Sequence, residues 1–329
     1  MTSQIKPVSD AFVPRRGLCG GHTQTIASFL IDRCIQLPPS ERRLIEVESG
    51  VQVLCHCHWQ PDRQAALTAI IVHGFEGSTE SQYMTGFAAK GVAAGMNVIR
   101  MNQRNCGGTD ALAPVLYHSG LSQDLAAVDS NLIEQDHVSR FALVGYSMGG
   151  NLVLKLAGEW GSHGPPQFRA VAAVCPALDL AASSDALHLP RNRIYEQYFL
   201  WQVRRRLRNK AKLFPGAFDP LRLRGINSLR EFDDKITAHY CGFNGAVDYY
   251  ARVAASNVVD QIAVPTFILH AANDPFIRIL PATRDKILAN SNITFLETKD
   301  GGHCSFIAAA NGYDGFWAEQ QIVDFMKSF

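Results

Sequence analysis

The sequence has little of what would set a chain apart from ordinary globular proteins. Charge of one sign is nearly absent: 31 basic residues meet 30 acidic ones, for a net charge of +1. No global attraction to nucleic acid or to an anionic membrane follows, so any such contact needs a local patch. Long hydrophobic runs are missing as well. The longest apolar stretch, Ala170 to Ala182, contains Pro176 and Asp179 and is too short to span a bilayer. Met1 to Arg16 holds no apolar core of signal-peptide length. The eight cysteines form no disulfide-like pattern; they are scattered, several within apparent strands, which suits reduced thiols in a cytoplasmic protein. Cys55-His56-Cys57-His58 has the composition of a metal tetrad, but strand alternation sends the cysteines to one face and the histidines to the other. No metal and no cofactor is expected. Internal repeats and low-complexity linkers are absent too.

What is present is an ample core, with 47% hydrophobic and 19% charged residues. Residues 1–40 read as an N-terminal arm carrying a short apolar helix, Ile26 to Ile31, closed by Pro38-Pro39. Residues 42–49 and 51–59 alternate at period two around Ser49-Gly50, which predicts an antiparallel hairpin. Leu67 to His73, Asn97 to Met101, Phe141 to Tyr146 and Ala170 to Cys175 are apolar runs of the kind buried on both faces of a sheet. Helical patterns fall between them, at Tyr83 to Ala94 and about Leu121 to Glu134. Strands alternating with helices of crossover length predict an α/β fold, a mostly parallel sheet with helices on both faces. The rhythm breaks from 182 to 255, an aromatic, arginine-rich and helical stretch read as an inserted cap. It divides the core into 41–181 and 256–329, where Thr266 to His270, Ala282 to Ala289, Ile293 to Glu297 and Phe316 to Phe329 restore the alternation.

The most informative stretch is Gly145-Tyr146-Ser147-Met148-Gly149, set between the apolar run Phe141 to Tyr146 and a helical pattern. Strand, sharp turn and helix around Gly-x-Ser-x-Gly is the context of a nucleophile elbow. The glycines let strand and helix cross closely, and the serine is forced into a strained conformation that lifts its hydroxyl clear of the sheet. A serine is a weak nucleophile until a base takes its proton and a third group orients that base. In this architecture the order is serine, acid, histidine. Of the eleven histidines, His303 in Asp300-Gly301-Gly302-His303 alone follows the last strand. The acid should leave a strand end facing the same cleft. Asp274 in Asn273-Asp274-Pro275 fits best, Asp179 is the runner-up, and Asp300 lies too near His303 in sequence. The oxyanion hole requires two backbone donors, assigned to Met148 and to Phe75 in Gly74-Phe75-Glu76-Gly77. Asn102 to Gly108 is a further loop at a strand's C-terminal end, fit to brace the site or simply to turn; Cys106 within it has no apparent histidine partner.

These residues resemble the alpha/beta-hydrolase superfamily, and more narrowly its YheT-like (EMB8-like) branch. The narrower likeness rests on Gly21-His22-Thr23-Gln24-Thr25, His73-Gly74-Phe75-Glu76-Gly77-Ser78, Asn102-x-Arg104-x-x-Gly107-Gly108, Tyr117-His118-Ser119-Gly120 and Gly145 to Asn151. It continues through Phe232-Asp233-Asp234, Gly242-Phe243, Asp248-Tyr249-Tyr250, Asn273-Asp274-Pro275 and Gly301-Gly302-His303. The resemblance implies a serine hydrolase of carboxylic esters, some members acting on phospholipids, with the triad falling on Ser147, Asp274 and His303. Asn105 stands where a glycine often follows the arginine, and Cys304-Ser305 replaces the usual small pair after the histidine. The expected substrate is a small-molecule or lipid ester with a short- to medium-chain acyl group. A lysophospholipase, phospholipase, thioesterase or amidase would share these residues, and a non-catalytic binding module on the same scaffold is the rival of another class. In the cap, Arg204-Arg205-Arg206-Leu207-Arg208-Asn209-Lys210-Ala211-Lys212 reads either as a solvated helix face or as a patch for lipid phosphates, and so for peripheral membrane contact. Nucleic acid is not expected, since no stacking platform accompanies the charge. The sequence does not set the oligomeric state.

Overall fold

A computed structural model describes residues 11–329; the segment read for a leader, Met1 to Arg16, lies mostly outside the described residues. Eight strands form one sheet: β1 (Glu41–Glu48), β2 (Val51–His58), β3 (Thr68–Val72), β4 (Asn97–Met101), β5 (Phe141–Tyr146), β6 (Phe168–Val174), β7 (Thr266–Ala271) and β8 (Ile293–Thr298). Their order is β1-β2-β4-β3-β5-β6-β7-β8. The β1–β2 hairpin joins antiparallel and β2 runs antiparallel to β4, while every pairing from β4 to β8 is parallel. The expected mostly parallel sheet is therefore present. The apolar runs explain it: β3, β4 and β5 are buried along their whole length, as strands covered on both faces must be. At the open edge, β1 offers Glu41, Arg42, Arg43, Glu46 and Glu48, charges that discourage pairing with another sheet.

Helices cover both faces. On one lie α3 (Ser122–Asp136), α4 (Met148–Trp160) and α10 (Pro281–Ala289), packed through Leu125, Leu132, Leu152, Leu156 and Ile287 onto Val72, Leu143, Val171 and Ile268. On the other lie α2 (Gln82–Ala93) and α11 (Trp317–Met326), packed through Met84, Phe87, Ile322 and Met326 onto Ile71, Val144 and Leu269. The alternation of inward residues along each strand thus splits the core into two layers. The Cys55 and Cys57 side chains lie in the first of these, away from His56 and His58, whose rings meet Ser40 and Arg100 instead.

The N-terminal helix α1 (Gly21–Leu30) begins five residues before the expected Ile26. Its first turn is polar, and a hydrophobic period cannot mark a start made by Gly21-His22-Thr23-Gln24. Between β6 and β7 the chain forms α5 (Leu180–Leu187), the long α6 (Arg193–Leu213), the short α7 (Leu229–Phe232) and α8 (Ala238–Cys241), and α9 (Gly245–Val253). Tyr195, Leu200, Val203 and Leu207 of α6 meet Phe218, Phe232, Ile236 and Phe276 in an apolar cluster of their own, above the C-terminal ends of the strands. Among the described residues no helix is long and apolar enough to cross a membrane.

Candidate active site

Ser147 follows β5 directly and caps α4, with φ 54 and ψ −116. This is a conformation that a residue with a side chain holds at a cost of about 1–3 kcal/mol. It persists because the crossing is too tight for alternatives: a methyl group on Gly145 would strike the Gly149 carbonyl, and one on Gly149 would strike that of Val72. Ser147 donates its backbone N–H to Val174 O (2.9 Å), and its carbonyl accepts from Asn151 and Ala177, both at 3.1 Å. The turn is therefore locked while the side chain stays free. Ser147 Oγ makes no hydrogen bond among the described residues.

His303 stands on the loop after β8, where sequence order put it. Its Nδ1 lies 2.8 Å from Asp274 Oδ2. The other oxygen of Asp274 accepts from Phe276 N–H (3.0 Å) and Ile277 N–H (2.9 Å), so the carboxylate is fixed at both ends. Burial works to raise the Asp274 pKa, but the charge and hydrogen bond of His303 and the Ile277 N–H reverse it; the net direction is down. Burial likewise works to lower that of His303, and the Cys304 sulfur and the Asp274 carboxylate turn it upward. The other two acids are engaged elsewhere. Asp179 accepts from Leu280 N–H and Thr283 Oγ1, both at 2.8 Å, and Asp300 accepts from Asn273 Nδ2 at 2.7 Å. Asp274 alone of the three reaches the imidazole.

Ser147 and His303 line one cleft of about 280 Å³ together with Gly74, Phe75, Phe29, Tyr198 and Phe199. The structure thus joins His303 to Asp274 directly and sets Ser147 in the same cleft, without a hydrogen bond between Ser147 and His303. The neighbour of His303 Nε2 is instead Cys304 Sγ, at 3.9 Å. Phe75 and Met148 also border Ser147, and neither of their N–H groups has an acceptor among the described residues. A Cβ on Gly74 would press on Ser147 Cβ at 3.0 Å, so a side chain there would push on the serine.

Two supports of this site were not legible in the sequence. The first is α1. Thr25 Oγ1 accepts from the His303 N–H at 2.9 Å, and Gln24 binds both polar groups of Ile307, Oε1 accepting from its N–H (2.7 Å) and Nε2 donating to its carbonyl (3.0 Å). The Gly21 to Thr25 motif therefore holds the histidine loop, and Gly21 itself must lack a side chain to pass the Asn273 carbonyl. The second is Arg206 on α6. It forms a two-pronged ion pair with Glu76 (2.7 and 3.1 Å) and donates to the Asn105 carbonyl. The Asn102 to Gly108 loop braces from the other side: Gln103 N–H donates to Nε2 of the buried His73 (3.1 Å), and Gln103 Nε2 to the His73 carbonyl (2.6 Å). Cys106 in that loop is buried, which drives its thiol up to about 12, and its sulfur meets Arg206 Nη2 at 3.6 Å. The reading of Arg204 to Lys212 as one solvated face needs correction at two positions. Arg206 points inward, and Lys210 is fully buried, donating to the Asp110 (3.0 Å) and Ala113 carbonyls.

Two groups of described donor atoms beside the cleft lie within 4.8 Å of one another, Cys175 with His303 and Cys304, and Cys175 with His270 and Asp274. Both thiols are already committed to backbone carbonyls, Cys175 to Gly302 (3.6 Å) and Cys304 to Val174 (3.5 Å).

A strained serine between β5 and α4, with a histidine–aspartate pair from the loops after β8 and β7, is a family arrangement. A family model described as the alpha/beta hydrolase fold matches residues 70–310. The chain belongs to that family. Its similarity extends to the YheT- and EMB8-like branch. It is 29% identical to YheT of Escherichia coli (strain K12), named provisionally as an esterase, over 98% of this chain and 94% of that protein. It is 22% identical to the embryogenesis-associated protein EMB8 of Picea glauca over 78% of this chain, which spans 57% of that longer protein. It is also 25% identical to the phospholipase ABHD3 of Mus musculus over 86% of this chain and 69% of that one. Among solved structures, Est1E from Butyrivibrio proteoclasticus matches 88% of this chain and 98% of its own, with a TM-score of 0.56 at 17% identity, a likeness of fold. Together these place the chain in the alpha/beta hydrolase fold family, among relatives named as an esterase and a phospholipase.

Proposed function

We propose that the protein cleaves carboxylic esters through Ser147, His303 and Asp274, by way of an acyl-enzyme. The observation that carries this reading is the Asp274-bound imidazole lining the same cleft as a serine held in strained backbone at a helix N-terminus. On substrate binding, Ser147 Oγ attacks the ester carbonyl and His303 Nε2 accepts its proton. The missing Ser147–His303 hydrogen bond is consistent with this, since such bonds often tighten only once substrate is bound. The free N–H groups of Phe75 and Met148 receive the developing oxyanion, helped by the positive end of α4. His303 then protonates the departing alcohol, and water, activated by the same imidazole, releases the acid. Asp274 stays ionised and holds the imidazole in the right tautomer.

An aromatic cleft of about 280 Å³ suits a short- to medium-chain acyl group. The likeness to a phospholipase of Mus musculus favours a lipid ester as the second reading. The test is Ser147→Ala against p-nitrophenyl esters of graded chain length. The expected result is a loss in kcat on the order of 10⁶-fold with an unchanged circular dichroism spectrum. Equal turnover by the variant, or failure of a fluorophosphonate to label Ser147, would overturn the proposal in favour of a binding module.

A further inference from the structure

The mouth of the cleft is bordered by a surface that a fully solvated protein has no reason to keep. Along the outer face of α6 the residues Ile194, Tyr198, Trp201, Arg205, Arg208 and Lys212 follow one another at intervals of three and four, so they form a single stripe. Its first half is apolar: Ile194 is 68%, Tyr198 48% and Trp201 53% exposed. Beside it α1 exposes Ile26, Phe29 and Leu30 (41%, 67% and 77%), and the Phe29 and Tyr198 rings touch edge to face with centroids 6.5 Å apart. The second half is cationic and uncompensated. Arg205 stacks its guanidinium on the Trp201 ring at 5.5 Å, and none of Arg205, Arg208 and Lys212 has an ion-pair partner among the described residues. The acids nearby are already engaged: Glu76 with Arg206, Asp110 with Asn209 and Arg206, and Glu80 with Arg100.

We infer that this face, made of α1 and the outer stripe of α6, docks onto an anionic phospholipid bilayer. The proposal deepens the ester-hydrolase reading and rests on it for the cargo, a lipid ester entering the cleft that Phe29 and Tyr198 border. Amphipathic rings such as Trp and Tyr settle at the level of the lipid headgroups, and adjacent arginines bind lipid phosphates. The two halves of the stripe match these two needs in order. A second copy of the chain fits poorly, because a two-fold contact through α6 sets Arg205, Arg208 and Lys212 against their own copies or against the partner's apolar half, and supplies no counter-charge either way. A nucleic acid would answer the arginines but leave Ile26, Leu30 and Ile194 in water.

The test is co-sedimentation with vesicles of phosphatidylcholine alone and of phosphatidylcholine mixed with phosphatidylglycerol, with turnover of soluble p-nitrophenyl acetate measured alongside. The wild-type protein should bind the mixed vesicles far more tightly, with a blue shift of tryptophan fluorescence that Trp201→Ser removes. Each surface cation is worth about fivefold in partitioning onto an anionic membrane, so neutralising three with Arg205→Gln, Arg208→Gln and Lys212→Gln should weaken binding by roughly 100-fold. Turnover of the soluble ester should be unchanged in both variants. Equal binding to the two vesicle types, undiminished binding by the triple variant, or a dimer dispersed by Trp201→Ser without vesicle binding would each overturn the inference. Vesicle binding by a protein inert toward every ester would sink the catalytic reading and leave this surface standing.

Discussion

The contact most open to a quantitative challenge is the ion pair between Arg206 and Glu76, because it couples α6 to the loop that carries Phe75. The Glu76 side chain is 3% exposed and that of Arg206 13%, so both charges are largely removed from water. Glu76 also holds a positive φ of 55, and its N–H donates to Tyr117 Oη at 3.1 Å while Tyr117 Oη donates back to its carboxylate at 2.7 Å. Replacing Arg206 by Met keeps the aliphatic volume but strands that carboxylate with one hydroxyl donor. Breaking a buried pair from one side costs about 3–5 kcal/mol. Part of that cost is relieved if the loop moves, and movement would carry the Phe75 N–H away from the oxyanion. Loss of one oxyanion donor costs about 10²- to 10³-fold in kcat. The Arg206→Met variant should therefore lose about 3 kcal/mol in urea unfolding and about 100-fold in kcat, with KM for a short ester little changed. Adding Glu76→Gln should restore most of the stability, because the second change removes the uncompensated charge. Refutation would be a single variant with wild-type kcat: Arg206 would then only pack, and α6 would have no part in holding the oxyanion loop.

The raised basicity of His303 has a kinetic signature. Its proton must be absent for Ser147 to be activated, so kcat/KM should climb with pH through a limb above the ordinary imidazole value of about 6.5. The Cys304 sulfur at 3.9 Å supports the protonated form, so Cys304→Ala should move that limb to lower pH; a pH–rate profile with an unmoved limb would show that Cys304 is electrostatically silent. Thr25→Val removes the hydroxyl that accepts from the His303 N–H, leaving a buried donor unpaired at a cost of about 1–3 kcal/mol. Thermal unfolding should report that loss, and kcat should fall more than KM rises; an unchanged kcat would mean the histidine loop needs no support from α1.

What the sequence made legible, and what it did not, divides along a physical line. Buried strands and the elbow are local: a run such as Phe141 to Tyr146 is apolar because both its faces are covered, and Gly145 and Gly149 are dictated by a crossing that lies within the motif itself. The order of serine, acid and histidine belongs to the elbow architecture, and a parallel sheet brings its strand C-terminal ends to one side, which is why Ser147, Asp274 and His303 are candidates by chain position. Asp274 ranks above Asp179 because it directly follows a strand and precedes Pro275, and the hydrogen bonds of Asp179 to Leu280 and Thr283 commit the runner-up elsewhere. The supports of the site are contacts across large sequence separations, Thr25 to His303 and Arg206 to Glu76, and no periodicity encodes them.

The charge run on α6 carries the same lesson further. Read as a string, Arg204 to Lys212 is one basic block. Wound into a helix, it becomes two populations of opposite role. Arg206 and Lys210 are four residues apart and share the inner face, where one meets Glu76 and the other the carbonyls of residues 110 and 113. Arg205, Arg208 and Lys212 take the outer face and find no counter-charge among the described residues. A helix that buries one cation against the Glu76 loop and a second against residues 110 and 113, while presenting three to the outside, transmits any pull on its outer face to Glu76 through one guanidinium. If the outer face meets a membrane, binding there and the position of the Phe75 N–H are linked by that ion pair. Disabling it should therefore remove any rate gain that vesicles confer, even in a variant whose attachment to vesicles is intact.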